Sequence, residues 1–307
     1  MVEMNNIIPG KKSGQENENG SEKPFDKQKW ATQKQQTRKS VYALIDSTAE
    51  AICKDNQAFR TFLDVQSRFD RYSIGNALLV TAQKPKATAL KDFNGWKEAG
   101  TPVNKGESSF YILEPGEKFT REDGSVGVSM KVKSVFDISQ TSAAPVKDER
   151  PIYDDRTLMK ALISRVSVDI EPVDEMPEPQ RHEIAYFDTI TQTIYVKRNL
   201  DTPQLFRALA KELALADYAA ESADYSRSEK NFKAVCVSYM LCKKFGIDTK
   251  EMPIRVPASY PNKVAQDIRN DLDEIRSGAN AILARMSRTL EQYKSSRTNE
   301  NERQDAR

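Results

Sequence analysis

Apolar residues recur along this chain with two alternating periods. Val41, Leu44, Ile45, Ala49 and Ile52 keep the three-to-four spacing of a helix face, and Phe59, Phe62, Leu63 and Gln66 repeat it. Ile74, Leu78 and Thr81 predict a further helix that stops near Lys84-Pro85, and Phe93-Asn94-Gly95-Trp96 a short one ending at Gly100. The period then drops to two. Ser109–Leu113 and Val126–Ile138 read as strands, with Lys131 and Lys133 on alternate positions and a loop containing Pro115-Gly116 and Asp123-Gly124 between them.

After Pro151 the helical period returns in Leu158, Leu162, Ile163 and Val166, and a hairpin is predicted over Glu183–Asp188 and Thr193–Lys197. Asp201-Thr202-Pro203 supplies a capping residue and an early proline for a helix whose core stripe is Leu205, Phe206, Leu209, Leu213 and Ala216. A helix from about Ser228 to Phe245 stops at Gly246. Ile268, Leu272, Ile275, Ala279, Ile282, Met286 and Leu290 then form one continuous stripe on a long helix. That stripe packs back on its own domain or receives a protein partner, and the spacing alone leaves both open.

These elements predict an α+β chain of two domains. Residues 1–35 and 293–307 are polar and aperiodic, and are expected to be disordered. Residues 142–155, with two prolines and mixed charge, are the expected linker between a domain at 36–141 and another at 156–292. The N-terminus lacks the apolar core of a secretory signal and no run approaches a membrane span, so a cytoplasmic protein without a membrane partner is expected.

Composition removes several mechanisms. The 307 residues contain one histidine, His182, so any site needing two is excluded. His182 stands among charged residues at a strand start, as a solvated side chain would. Cys53, Cys236 and Cys242 have no metal-like spacing and read as free thiols. No glycine-rich phosphate loop and no nucleophile elbow is present, so no catalytic residue and no cofactor is assigned. Net charge of +2 decides nothing about nucleic acid, which responds to local patches. One such patch exists: from Arg60 to Lys105 there are eight cations against four acids, interleaved with Phe69, Tyr72, Phe93 and Trp96. Cations that track phosphate beside rings that stack on bases suit single-stranded nucleic acid, although aromatics at helical spacing also suit a core.

The order of Tyr72-Ser73, Asn76, Leu78-Leu79, Ala82-Gln83, Pro85, Ala87-Thr88, Trp96, Gly100, Val103, Lys105-Gly106-Glu107 and Phe136-Asp137 resembles the N-terminal domain of ArdC-type antirestriction proteins. The resemblance implies a single-stranded-DNA-binding module of plasmids and conjugative elements. Arg68, Arg71, Tyr72, Asn76, Lys84, Lys86, Trp96 and Lys105 are the candidate contacts. In that family the second domain is a zincin-type metallopeptidase with an H-E-x-x-H helix and a glutamate ligand on the next helix. The matching helix here reads Lys211-Glu212-Leu213-Ala214-Leu215, and the third ligand falls at Val235. The resemblance therefore implies a pseudoenzyme that keeps only Glu212 of the set and binds no metal. The alternative is a conjugation-accessory or protein-interaction factor acting through the C-terminal domain without DNA.

Overall fold

The computed structural model describes residues 26–143 and 153–305. It divides into two compact units, the first made of Met1–Glu149 with Ser259–Arg269 and the second of Arg150–Ala258 with Asn270–Arg307. Most of the expected linker 142–155, at 144–152, lies outside the described residues, as do residues 1–25 of the segment 1–35 expected to be disordered.

The first unit opens with α1 (Lys27–Ile52), α2 (Asn56–Arg68) and α3 (Ile74–Gln83), followed by β1 (Leu90–Lys91) and α4 (Phe93–Glu98). Each helix starts where a short polar side chain accepts the orphan N–H groups of the first turn: Asp26, Asp55, Ser73 and Asp92. The expected disorder at 26–35 is corrected, because Asp26 caps a helix that is already running at Lys27. β2 (Phe110–Thr120) and β3 (Val126–Asp137) form a long antiparallel hairpin, and β1 joins it in the order β1-β3-β2. β2 runs through Pro115-Gly116, which the sequence reading placed in a loop. The register slips between Pro115 and Lys118, so the proline falls where the ladder is already broken.

The core of this unit joins Val41, Leu44 and Ile45 to Phe59, Phe62, Leu63, Leu78 and Leu79. The segment Ser259–Arg269, expected in the second domain, completes it. Tyr260 lies edge-on to Phe59 at 6.4 Å, Ile268 is buried, and Arg269 pairs with Asp46.

Two polar devices hold sheet and helices together. β2 is an edge strand, and its backbone is met by amides of α3. Asn76 accepts from the Leu113 N–H at 2.7 Å and donates to its carbonyl at 2.8 Å. Gln83, seven residues on, does the same with Tyr111 at 3.0 and 2.9 Å. The second device is Asp137, 1% exposed, which accepts from the N–H groups of Thr88 at 2.7 Å, Ala89 at 3.1 Å and Ser139 at 3.0 Å. Burial pushes its carboxyl up, but the donors of Ser139, Thr88 and Ala89 outweigh it and hold the group below the usual carboxylate range.

The second unit contains α5 (Asp155–Leu162), β4 (Asp169–Val173), β5 (Ala185–Asp188), β6 (Thr193–Lys197), α6 (Thr202–Glu221) and α7 (Arg227–Phe245). The expected hairpin is β5–β6, and the unforeseen β4 adds in parallel to give the order β4-β6-β5. α5 stops at Leu162 rather than continuing to Val166, because Arg165 adopts φ 56°.

α8 (Ala265–Asp305) starts in the first unit and continues in the second, running through the tail expected to be disordered. Extending a formed helix requires no new nucleation, which a polar tail tolerates. All seven stripe residues, Ile268 to Leu290, are buried. In the second unit α8 is fastened by Arg285, bidentate on Asp217, and by Lys233, which pairs with Asp271 and Glu274. Gly278 permits the close approach: a Cβ there would meet the Tyr218 hydroxyl at 3.1 Å and Val237 Cγ2 at 3.3 Å.

Two stability measurements follow from this packing. Asp137→Ala strands three N–H donors and is expected to cost about 3 kcal/mol in denaturant unfolding. The depressed carboxyl contributes stability above its unfolded value, lost as pH falls through the folded one, so the wild-type advantage over the variant should shrink below about pH 4. Gly278→Leu should cost about 1–3 kcal/mol by overpacking. Gly278→Ala should change little, because its helix-propensity gain of up to about 1 kcal/mol offsets the tight contacts.

Candidate functional site

The eight candidate contacts separate into those that face solvent and those that build the fold. Arg71, Lys86 and Lys105 are exposed, and Lys84 is half-buried at the end of α3. Tyr72 is half-buried, its ring stacked on Phe69 at 5.0 Å and 24°, and burial raises its hydroxyl pKa against the opposing Lys133. Arg68 is committed to the chain itself. Its guanidinium donates to the Ala87 carbonyl at 3.0 Å and also to that of Pro85, which fixes the turn carrying Lys84 and Lys86. Desolvation lowers its pKa despite Asp64 and Asp137.

Asn76 and Trp96 are corrections. Asn76 spends its amide on Leu113, as described above. Trp96 is 4% exposed, and its indole N–H donates to the Phe136 carbonyl at 2.9 Å, with Lys91 covering the ring at 5.1 Å. Neither offers a face to a base. The sequence reading quotes Asp137 only as part of the resemblance and assigns no role to it or to Gln140. Gln140 meets the Asp137 N–H and donates to Glu107 and the Ser108 carbonyl. The spacing of Asp137 and Gln140, a capping box across a short turn, was the available signal.

In the second unit, α6 turns Gln204, Arg207, Ala208 and Lys211 toward a cleft of about 520 Å³, faced by Ala185, the first residue of β5, and by Val235 of α7. The spacing i, i+3, i+4, i+7 puts these four on one helix face, opposite the core residues Phe206, Leu209 and Leu213. His182 is exposed at the rim. Glu212 points away from this opening and is completely buried. One of its oxygens accepts the Phe187 N–H at 2.8 Å, and the other meets Arg227 at 2.9 Å and Lys211 at 3.0 Å. Arg227 also lies over the Tyr186 ring at 4.4 Å.

This arrangement does not fit a divalent metal. The ligand positions implied by resemblance hold the Lys211 ammonium, the fully buried Leu215 and Val235. None offers a lone pair at neutral pH, and Glu212 is already answered by two cations. Among the described residues no group of three or more His, Cys, Asp or Glu is placed to hold a metal ion.

An uncharacterized Bacillus anthracis protein designated pXO2-81 is 26% identical over 290 residues, covering 76% of this chain and 49% of its own length. The chain thus spans about half the length of that relative. Two crystal structures of the antirestriction protein ArdC from plasmid R388 align at 17% identity. The metal-free form has a TM-score of 0.47 and covers 71% of this chain and 86% of its own. The Mn(II)-bound form has 0.48, with 70% and 85%. The family model for the N-terminal domain of anti-restriction factor ArdC matches residues 33–152, and this chain therefore carries an ArdC-type N-terminal domain.

Proposed function

We propose that this is an antirestriction-like protein of a plasmid or conjugative element, whose N-terminal domain binds single-stranded DNA and whose second unit is a metallopeptidase-derived domain without its metal ligands. The observation that carries the reading is the match of residues 33–152 to the ArdC domain. Arg71, Lys84, Lys86 and Lys105 lie at or near the surface of that domain, where cations can neutralise phosphate. Arg68 supports them by holding the Lys84–Ala87 turn.

The pseudoenzyme half of the proposal rests on Glu212, both of whose oxygens are engaged inside the protein, leaving none to activate water. Three buried free cysteines fit a reducing compartment such as the cytoplasm. The alternative of a partner bound along the α8 stripe is not favoured, because Ile268 through Leu290 are already covered.

Titration of the full-length chain with labelled oligonucleotides tests the first half. Single-stranded DNA should bind more tightly than duplex, and log affinity should fall linearly with log salt. Replacing Arg71, Lys84, Lys86 and Lys105 by Ala should flatten that slope by up to about 0.7 per lost phosphate contact. The melting temperature should hold, since none of these side chains is buried. Absence of salt-sensitive binding at low ionic strength would refute the reading. For the second half, elemental analysis of purified protein should find no stoichiometric zinc; one zinc per chain would overturn it.

A further inference from the structure

The first turns of α1 present a feature that straddles the start of the ArdC match. Residues 27–39 read Lys27-Gln-Lys-Trp-Ala-Thr-Gln-Lys-Gln-Gln-Thr-Arg-Lys39, with five cations and no acid. The matched region begins at residue 33, so Lys27, Lys29 and Trp30 precede it while Lys34, Arg38 and Lys39 lie within it. The first buried residue of α1 is Val41, so these turns contact no core. Asp26 starts the helix by accepting from the N–H groups of Gln28 at 3.1 Å and Lys29 at 3.0 Å.

At the rotation of an α-helix, Lys27, Trp30, Lys34, Arg38 and Tyr42 fall within about 120° on one face. Lys29 and Lys39 fall outside it. Along that face cations and rings pair: Lys34 lies over the Trp30 ring at 4.8 Å, and Arg38 over Tyr42 at 5.8 Å. Trp30 is 50% exposed and Tyr42 38%.

We infer that this helix face is a second nucleic-acid-binding surface, an arm on which Lys27, Lys34 and Arg38 take phosphates while Trp30 stacks on an unpaired base. Charge complementarity selects the partner. Five cations with no acid among them, on turns that bury no residue, repel one another, and a polyanion removes that repulsion. An anionic membrane is the other polyanionic surface, but a helix lying in a bilayer interface separates its rings from its cations onto opposite faces. Here they share one face, and no aliphatic side chain longer than alanine occurs between Lys27 and Lys39. The inference rests on the nucleic-acid reading above and adds a site to it.

The test uses the full-length chain and a single-stranded oligonucleotide. Lys27, Lys34 and Arg38→Gln together should weaken binding roughly tenfold and lower the salt slope by about 2, that is about 0.7 per phosphate. Lys29 and Lys39→Gln, off the face, should leave the slope near wild type. None of these side chains is buried, so the melting temperature should be unchanged. The chain has two tryptophans and Trp96 is in the core, so quenching of intrinsic fluorescence by the oligonucleotide should vanish in Trp30→Ala. A triple variant with wild-type affinity and slope overturns the arm while leaving the ArdC-domain reading intact. Wild-type protein that binds no oligonucleotide overturns both. Tryptophan changes with anionic phospholipid vesicles but not with oligonucleotide would make the arm a membrane element and overturn it as a nucleic-acid site.

Discussion

A carboxylate taken out of water must be met by donors, and each unit of this protein is arranged around one such group. In the first unit Asp137 gathers three backbone N–H groups from segments some fifty residues apart in sequence. It thereby fixes where β3 ends and where the chain enters β1. In the second, Glu212 draws the edge of β5 to α6 through Phe187 and draws α7 in through Arg227. Neither carboxylate reaches solvent. A partner removed from either leaves a buried charge unanswered, which costs more than the contact itself contributes.

The same requirement explains the character of the cleft beside α6. Where the family resemblance calls for a metal, the positive charge opposite Glu212 comes from Lys211 and Arg227, which are part of the chain. A resident cation needs no loading step and leaves no open coordination position. The helix pair thus supplies from its own side chains the electrostatic balance that a buried glutamate demands. Lys211 is partly accessible at the cleft, whereas Leu215, one turn on, is core.

Periodicity carried most of the architecture. The stripes of α1, α2, α6 and α8 were legible because burial of one helix face repeats over several turns, and the seven residues of the last stripe are all covered. The two-residue β1 and the five-residue β4 were not, since elements that short show no period. Side-chain direction was the harder matter. Composition placed Arg68, Asn76 and Trp96 among basic and aromatic neighbours, yet Asn76 pairs with an edge strand and Trp96 fills the core. Both are polar or aromatic because a backbone group opposite them needs a partner. The start of α1 was missed for the converse reason: a helix that is polar all round leaves no hydrophobic trace, and only Asp26 marks it.

The first unit is not continuous in sequence, and this has a consequence for its biosynthesis. Tyr260 and Ile268 belong to its core, yet more than a hundred residues of the second unit are made before them. At synthesis rates of about 5–20 residues per second, Phe59 and its neighbours wait on the order of ten seconds for their last covering segment. The first unit is therefore completed only at Arg269, and the second, which also needs Asn270–Arg307, later still. The second unit's sheet and the α6–α7 pair leave the ribosome whole while the first unit is still open. A nascent chain of this protein therefore passes through a stage in which both units wait for their last segments, with apolar surface around Phe59 exposed to chaperones in the interval.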